Sequence, residues 1–340
     1  MAATPDKSQP RRHFWGDDPA DEADYYAAHG VHATSSLFTS PRGLQLFTRS
    51  WQPEPAAGSP RAVMCMIHGY GNDISWTFQS TPIFLAQHGF ACFALDLPGH
   101  GRSDGLRAFV PDVDAAARDC LAFFRSIRRS PGMQGLPCFL YGESMGGAIC
   151  LLIHLIEKEE AWAGAVLVAP MCRISDRLRP KWPVPEILTF MARFAPTLPI
   201  VPTADLVEKS VKVEQKRVVA ASNPRRYGGR PRLGTVAELM RVTDHLNARL
   251  SEVTIPFLVL HGSADVVTDP DVSRALYDAA RSEDKTIKIY DGMLHSLLFG
   301  EPDENVAVVR KDILNWLNQR SGAGNGDGDG DGDGDGGTAA

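Results

Sequence analysis

Apolar residues in this chain fall into short runs of strand length, each followed by Gly-rich punctuation and then by helical periodicity. The runs are Ala62–Ile67, Phe90–Leu95, Cys138–Tyr141, Ala165–Ala169, Phe257–His261 and Ile287–Tyr290. The spacing between them predicts helices over Pro82–His88, Asp112–Arg129, Met145–Lys158 and Asn305–Arg320. Strands that are apolar throughout have to be covered on both faces, so the alternation predicts an α/β fold with a mostly parallel sheet between layers of helices. Upstream, His32–Trp51 alternates around the turn signal Pro41-Arg42-Gly43 and predicts an antiparallel hairpin.

One interval breaks the rhythm. Between Ala169 and Ile255 there are roughly eighty residues without a clean strand, far more than an ordinary connection needs. An inserted cap over 171–250 is predicted, dividing a core made of 31–170 and 251–320. Its first part is rich in large apolar residues: Trp182, Val184, Ile187, Leu188, Phe190, Met191, Phe194, Leu198 and Ile200. They are expected to form mainly the cap's own core, with some able to cover a site at the sheet edge. Residues 1–30 read as a loose arm, and the Gly-Asp repeats of 321–340 as a disordered tail.

With 340 residues, 44% of them apolar, the chain can bury a large core. Five tail aspartates, Asp327 to Asp335, account for nearly all of the net charge of −6, so the body is close to neutral. It lacks the basic excess that a nucleic-acid partner requires. The tail matches the front half of a calcium loop, but position twelve is Thr338 where a bidentate Glu is needed, and calcium is not expected there. Six cysteines show no CxxC or zinc spacing and read as buried, reduced thiols. With no apolar leader in Met1–Pro10 and no run long enough to span a bilayer, the expectation is cytoplasmic, with peripheral membrane contact left open through the cap.

The chemistry centres on Gly142-Glu143-Ser144-Met145-Gly146, which follows one predicted strand and opens a predicted helix. That is the setting of a nucleophile elbow, where a serine stands on a tight bend at a helix N-terminus. A serine alcohol needs a base, and the base needs an orienting acid. Asp265 lies on the loop after Phe257–His261, and His295 on the loop after Ile287–Tyr290. All three are thus expected along one sheet edge, with Asp269 and Asp291 as weaker candidates for the acid. His154, His245 and His261 read as surface or packed residues. An oxyanion hole is expected from the amides of Met145 and of Tyr70 in His68-Gly69-Tyr70-Gly71-Asn72. His100-Gly101-Arg102-Ser103-Asp104 fits an acyltransferase pattern but reads as a rigid turn lining the site. No metal or organic cofactor is required.

Residues from about Tyr25 to Arg320 resemble the plant monoacylglycerol lipases, a lysophospholipase-like group that includes caffeoylshikimate esterase. The resemblance rests on His68-Gly69-Tyr70-Gly71-Asn72-Asp73, Gly99-His100-Gly101-Arg102-Ser103-Asp104-Gly105 and Gly142-Glu143-Ser144-Met145-Gly146-Gly147. It continues through Asn223-Pro224, Pro231-Arg232-Leu233-Gly234-Thr235, His261-Gly262-Ser263-Ala264-Asp265, His295-Ser296 and Gly300-Glu301-Pro302-Asp303-Glu304. It implies an α/β-hydrolase fold and a triad at Ser144, Asp265 and His295. It also implies a cap admitting one acyl chain and a small alcohol, typically glycerol. Phe78–Ala94 and Met171–Pro183 are more similar to the lipase branch, so monoacylglycerol is the expected substrate. Caffeoylshikimate or another phenolic ester, a lysophospholipid, acyl transfer and a non-catalytic receptor on this fold are the alternatives.

Overall fold

The computed structural model describes residues 22–54, 58–157, 161–174, 181–203 and 205–322. Most of the N-terminal arm and of the Gly-Asp tail, with its partial calcium-loop match, lies outside the described residues.

Eight strands form one sheet: β1 (Val31–Thr39), β2 (Gln45–Pro53), β3 (Ala62–Ile67), β4 (Phe90–Leu95), β5 (Cys138–Glu143), β6 (Gly164–Val168), β7 (Phe257–Gly262) and β8 (Lys285–Tyr290). Their order is β1-β2-β4-β3-β5-β6-β7-β8. The predicted hairpin is β1 with β2, paired antiparallel from Val31 opposite Pro53 to Thr39 opposite Gln45. β2 meets β4 antiparallel, and every later pairing is parallel. This is the expected α/β-hydrolase sheet.

The helices begin with α1 (Glu22–Ala28), α2 (Ser80–Gln87), α3 (Val113–Arg128) and α4 (Met145–Ile156). Those after β6 are α5 (Val184–Phe194), α6 (Leu206–Ser210), α7 (Glu214–Ala221), α8 (Leu233–Asn247), α9 (Pro270–Ala279) and α10 (Asp303–Asn318). In β3, Val63, Cys65 and Ile67 pack with α3 and α4, while Met64 and Met66 pack with α2 and α10. This two-sided burial explains the uninterrupted apolar runs. Each helix start has its own cause. Asp112 caps α3 by accepting from the Ala115 amide, and Asp269 caps α9 through Asp271, with Pro270 preset for the first turn.

After β3 the chain steps to β4 on one side and then to β5 on the other. The crevice beyond the C-terminal ends of β3 and β5 is therefore a topological switch point, where parallel sheets place ligands. The loops leaving these strands carry His68–Asn72 and Ser144.

Helices α5 to α8 intervene between β6 and β7. α8 packs against α3, α4 and α5. Val207, Val211 and Ala220 form a small apolar core within the insertion, but α5 contradicts the expectation that its own large apolar residues join it, because none of them is buried. Phe190 is 60% exposed, Phe194 76% and the neighbouring Trp182 80%. A segment this apolar reads as core from composition, yet no element covers its outer face among the described residues.

Candidate active site

β5 ends at Glu143, and the next residue has φ 52° and ψ −115°, a conformation that L-residues rarely hold. Close approach of strand and helix on either side enforces it. A Cβ on Gly142 would stand 2.4 Å from the Gly146 carbonyl carbon, and one on Gly146 would stand 2.2 Å from the Ile67 oxygen. The Ser144 main chain is also held from across the sheet edge. Its amide donates to Val168 O at 2.9 Å, and its carbonyl accepts from the Met171 amide at 2.9 Å. The serine is thereby fixed at the N-terminus of α4.

Asp265 sits on the loop after β7 and is 6% exposed. Its Oδ1 accepts from the amides of Val267 (2.7 Å) and Thr268 (3.1 Å). Its Oδ2 accepts from His295 Nδ1 at 2.6 Å and from the Thr268 hydroxyl at 3.0 Å. Burial alone would raise this carboxyl's pKa. The positive charge available on His295 and the hydrogen bonds from His261 and His295 outweigh burial and hold it well below the usual carboxylate range. His295 follows β8 on a loop fastened by the Leu294 amide, which donates to the fully buried Glu301 at 2.7 Å. With Nδ1 turned to Asp265, Nε2 is the nitrogen left for a reacting group.

Ser144 and His295 line one cavity of ≈ 690 Å³, within the usual range for small-molecule sites. Among the described residues the Ser144 hydroxyl makes no hydrogen bond. In unliganded hydrolases such contacts are often long and tighten with substrate. The Tyr70 and Met145 amides also lack a partner among the described residues, which leaves both available to an oxyanion. A Cβ on Gly69 would lie 3.3 Å from Ser144 Cβ, so the glycine loop runs directly beside Ser144.

Buried polar groups hold that loop. His68 Nε2 accepts from the Leu97 amide at 2.9 Å while Nδ1 donates to Gly69 O at 2.8 Å. Burial pushes His68 down to about 4, so it is a neutral hydrogen-bonding group. The insertion is latched to the same loop. Asn223 donates to Asp73 at 2.6 Å, and the Tyr227 amide donates to Gly71 O at 2.8 Å.

Two readings of the sequence need correcting. His100 and Asp104 are not among the residues that line the cavity: His100 Nδ1 donates to Pro98 O, and the exposed Asp104 accepts from the Gln45 amide. Burial drives His100 down to about 3, which removes it as a base. His261 is more than packing. Its Nε2 lies 3.0 Å from Asp265 Oδ2, and Ser273 Oγ lies 2.7 Å from Nδ1. The i,i+4 spacing of His261 and Asp265 across a strand end was the available signal. Of the weaker acid candidates, Asp269 serves as a helix cap, and Asp291 accepts from Ser263. Asp112, Asp114 and Glu238 lie close enough together to suggest a cation site, but Arg241 pairs with both Asp114 and Glu238, and none of the three lines the cavity.

Residues 58–303 match the family described as serine aminopeptidase, S33. The chain is 42% identical over 307 residues to caffeoylshikimate esterase from Arabidopsis thaliana, covering 90% of this chain and 91% of that protein. It is 33% identical over 286 residues to monoglyceride lipase from Homo sapiens, covering 82% and 88%. A solved structure of a soluble variant of monoglyceride lipase from Saccharomyces cerevisiae, with a substrate analogue, shares the fold. Its TM-score is 0.72 at 23% identity, covering 84% of this chain and 94% of that one. The matched span runs from before β3 into the start of α10 and contains every residue of the site, so the chain belongs to the serine aminopeptidase S33 family of α/β-hydrolases.

Proposed function

We propose that this hydrolase cleaves monoacylglycerol to a fatty acid and glycerol through an acyl-enzyme on Ser144. The observation that carries the reading is the 2.6 Å contact between Asp265 and His295, whose imidazole lines the same cavity as Ser144. His295 Nε2 takes the Ser144 proton as the hydroxyl oxygen attacks the ester carbonyl. Asp265, kept ionised, offsets the charge that appears on the imidazole, and the Tyr70 and Met145 amides receive the oxyanion. The His295 proton passes to the departing glycerol oxygen. A water activated by the same nitrogen then releases the acid. None of these steps requires a metal or organic cofactor.

The cavity combines apolar walls, including Phe78, Leu239 and Phe299, with polar and charged groups such as Asn72, Glu143, Asn223, Arg226 and Arg230. That mixture suits an acyl chain joined to a small hydroxylated alcohol. The 42% identity to caffeoylshikimate esterase favours a second reading, hydrolysis of a phenolic ester of a polar alcohol by the same machinery. Purified protein and Ser144→Ala, each offered monoacylglycerol and caffeoylshikimate, test both readings. Turnover of the lipid that vanishes in the variant is expected, and a large preference for the phenolic ester transfers the assignment. Failure of wild type to react with a fluorophosphonate, with no turnover of either ester, would leave a non-catalytic receptor.

The helices between β6 and β7 act in this reading as a cap over 171–250. The exposed apolar face of α5 makes peripheral contact with a lipid surface from which substrate is drawn. No helix among the described residues is long and apolar enough to cross a membrane. All six cysteines are buried as thiols, which fits action in a reducing compartment such as the cytoplasm.

A further inference from the structure

Glu143 is a carboxyl group in the cavity wall for which the hydrolytic mechanism has no use. It closes β5 one residue before the nucleophile, and its side chain lies in the cavity wall with Phe78 and Thr81. Strand alternation puts Tyr141 on its own face. The buried Tyr141 hydroxyl donates to Glu143 Oε1 at 2.6 Å. Oε1 is therefore satisfied by the protein. Oε2 has no partner among the described residues, and no Lys or Arg there pairs with this carboxyl. Burial pushes the group up, against the opposing pull of the Tyr141 hydroxyl and of His295.

Glu143 is half-buried and its Oε2 is not sealed off from the cavity, so a hydrocarbon chain seated against it would displace its water without replacing the hydrogen bond, and a pocket serving only such a chain would do better with an apolar residue here. A native site keeps such a group where a ligand supplies the missing donor. An ester oxygen cannot, because it only accepts. A hydroxyl can.

We infer that Glu143 is a specificity-determining residue whose free Oε2 accepts a hydrogen bond from a hydroxyl group of the bound ester. The proposal rests on the ester-hydrolase reading and deepens it. The machinery of Ser144, Asp265 and His295 does not distinguish a glycerol ester from a simple alkyl ester of the same acid, whereas Glu143 does. A site built to hydrogen-bond a hydroxyl rejects the analogue lacking it because the polar group is then left buried and unpaired.

The test measures kcat/KM for two substrate pairs in wild type, Glu143→Gln and Glu143→Ala. One pair is the glycerol monoester and the ethyl ester of the same fatty acid, which differ in hydroxyls on the alcohol. The other is ethyl caffeate and ethyl cinnamate, which differ in hydroxyls on the acyl group. Wild type is expected to prefer the hydroxylated member of at least one pair by about 10- to 100-fold. The pair in which this occurs locates the hydroxyl that Oε2 meets. In Glu143→Ala all four rates fall, and that preference collapses to within about 3-fold of unity. Glu143→Gln keeps an acceptor oxygen and retains part of it.

Two results would overturn the proposal: a wild type indifferent within both pairs, or a Glu143→Ala variant whose rates fall in parallel so that the preference persists. The second outcome would make Glu143 merely a partner for Tyr141. A wild type that hydrolyses none of the four esters would defeat the hydrolase reading itself, and Ser144→Ala gives the background against which that is judged.

Discussion

His261 Nε2 stands 3.0 Å from Asp265 Oδ2, the same carboxylate oxygen that His295 engages at 2.6 Å. The neighbours of Nε2 include two acceptors, Asp265 Oδ2 and Thr268 O, so the proton belongs on Nε2 and Nδ1 accepts from Ser273. His261 thus helps hold the carboxylate that orients His295. Replacing it with Leu removes one donor from Asp265 and strengthens the carboxylate's hold on the protonated His295. The acid limb of kcat/KM is expected to move to higher pH, with kcat reduced about 10-fold. His261→Gln, which restores a donor, should reverse part of the pH displacement. A Leu variant with lower activity and an unmoved pH profile would reduce His261 to packing.

Asp265 and Asp96 respond to pH in opposite senses. Asp265 is held below the ordinary carboxylate range, so its contribution to stability is complete above about pH 4 and is lost only as pH falls beneath that. Asp96 is raised, first by burial and then by the charge of Asp73, against the pull of the Ile74 and Arg102 amides that it accepts. The folded protein therefore keeps a proton that the unfolded chain gives up, and stability declines as pH climbs from about 4 toward neutrality. Asp96→Asn is expected to melt lower at pH 5, by the equivalent of about 1 kcal/mol for one lost amide contact. Its melting temperature should then change less between pH 5 and pH 8 than that of wild type. A parallel decline in both proteins refutes the assignment.

Gly146 offers a steric prediction. A methyl group there meets the backbone of β3 at 2.2 Å, where neither partner can rotate away. Gly146→Ala should destabilise the protein by several kcal/mol, on the order of other severe overpacking changes. Thermal denaturation of the soluble fraction reads this directly. Gly132 has nothing within 4 Å of an added Cβ, and its positive φ alone should give Gly132→Ala a much smaller loss of about 1 kcal/mol.

The uncovered side of α5 predicts lipid affinity. Phe190 and Phe194 are stacked edge to face with ring centroids 5.2 Å apart and stand mostly in solvent. Sedimentation with vesicles of phosphatidylcholine and phosphatidylserine should capture wild type, while Phe190→Ser with Phe194→Ser should bind at least 10-fold more weakly. Turnover of a short-chain, water-soluble ester by the double variant separates lost docking from lost folding. Equal vesicle binding by both proteins removes the membrane role.

The sheet was legible because buried parallel strands are apolar throughout and each is followed by a glycine turn. Ser144, Asp265 and His295 stood out as candidates because each lies on the bend or loop that follows a recognisable strand, in the order serine, acid, histidine. What escaped depends on partners distant in sequence. Whether Phe190 is core or surface is decided by what packs against α5, which composition does not encode. His261 looked like any strand residue, since its role comes from the loop that folds Asp265 back onto it. Glu143 occupies a position that the pentapeptide pattern leaves free, although its spacing of two from Tyr141 already placed both side chains on one face of β5.

The Ser144 carbonyl accepts from the Met171 amide, three residues beyond the end of β6. Transplanting the helical insertion between relatives thus has a natural seam. A chimera joined after Met171 leaves the bend under Ser144 braced by its native neighbour, whereas a junction placed at Val168 would replace that brace along with the insertion.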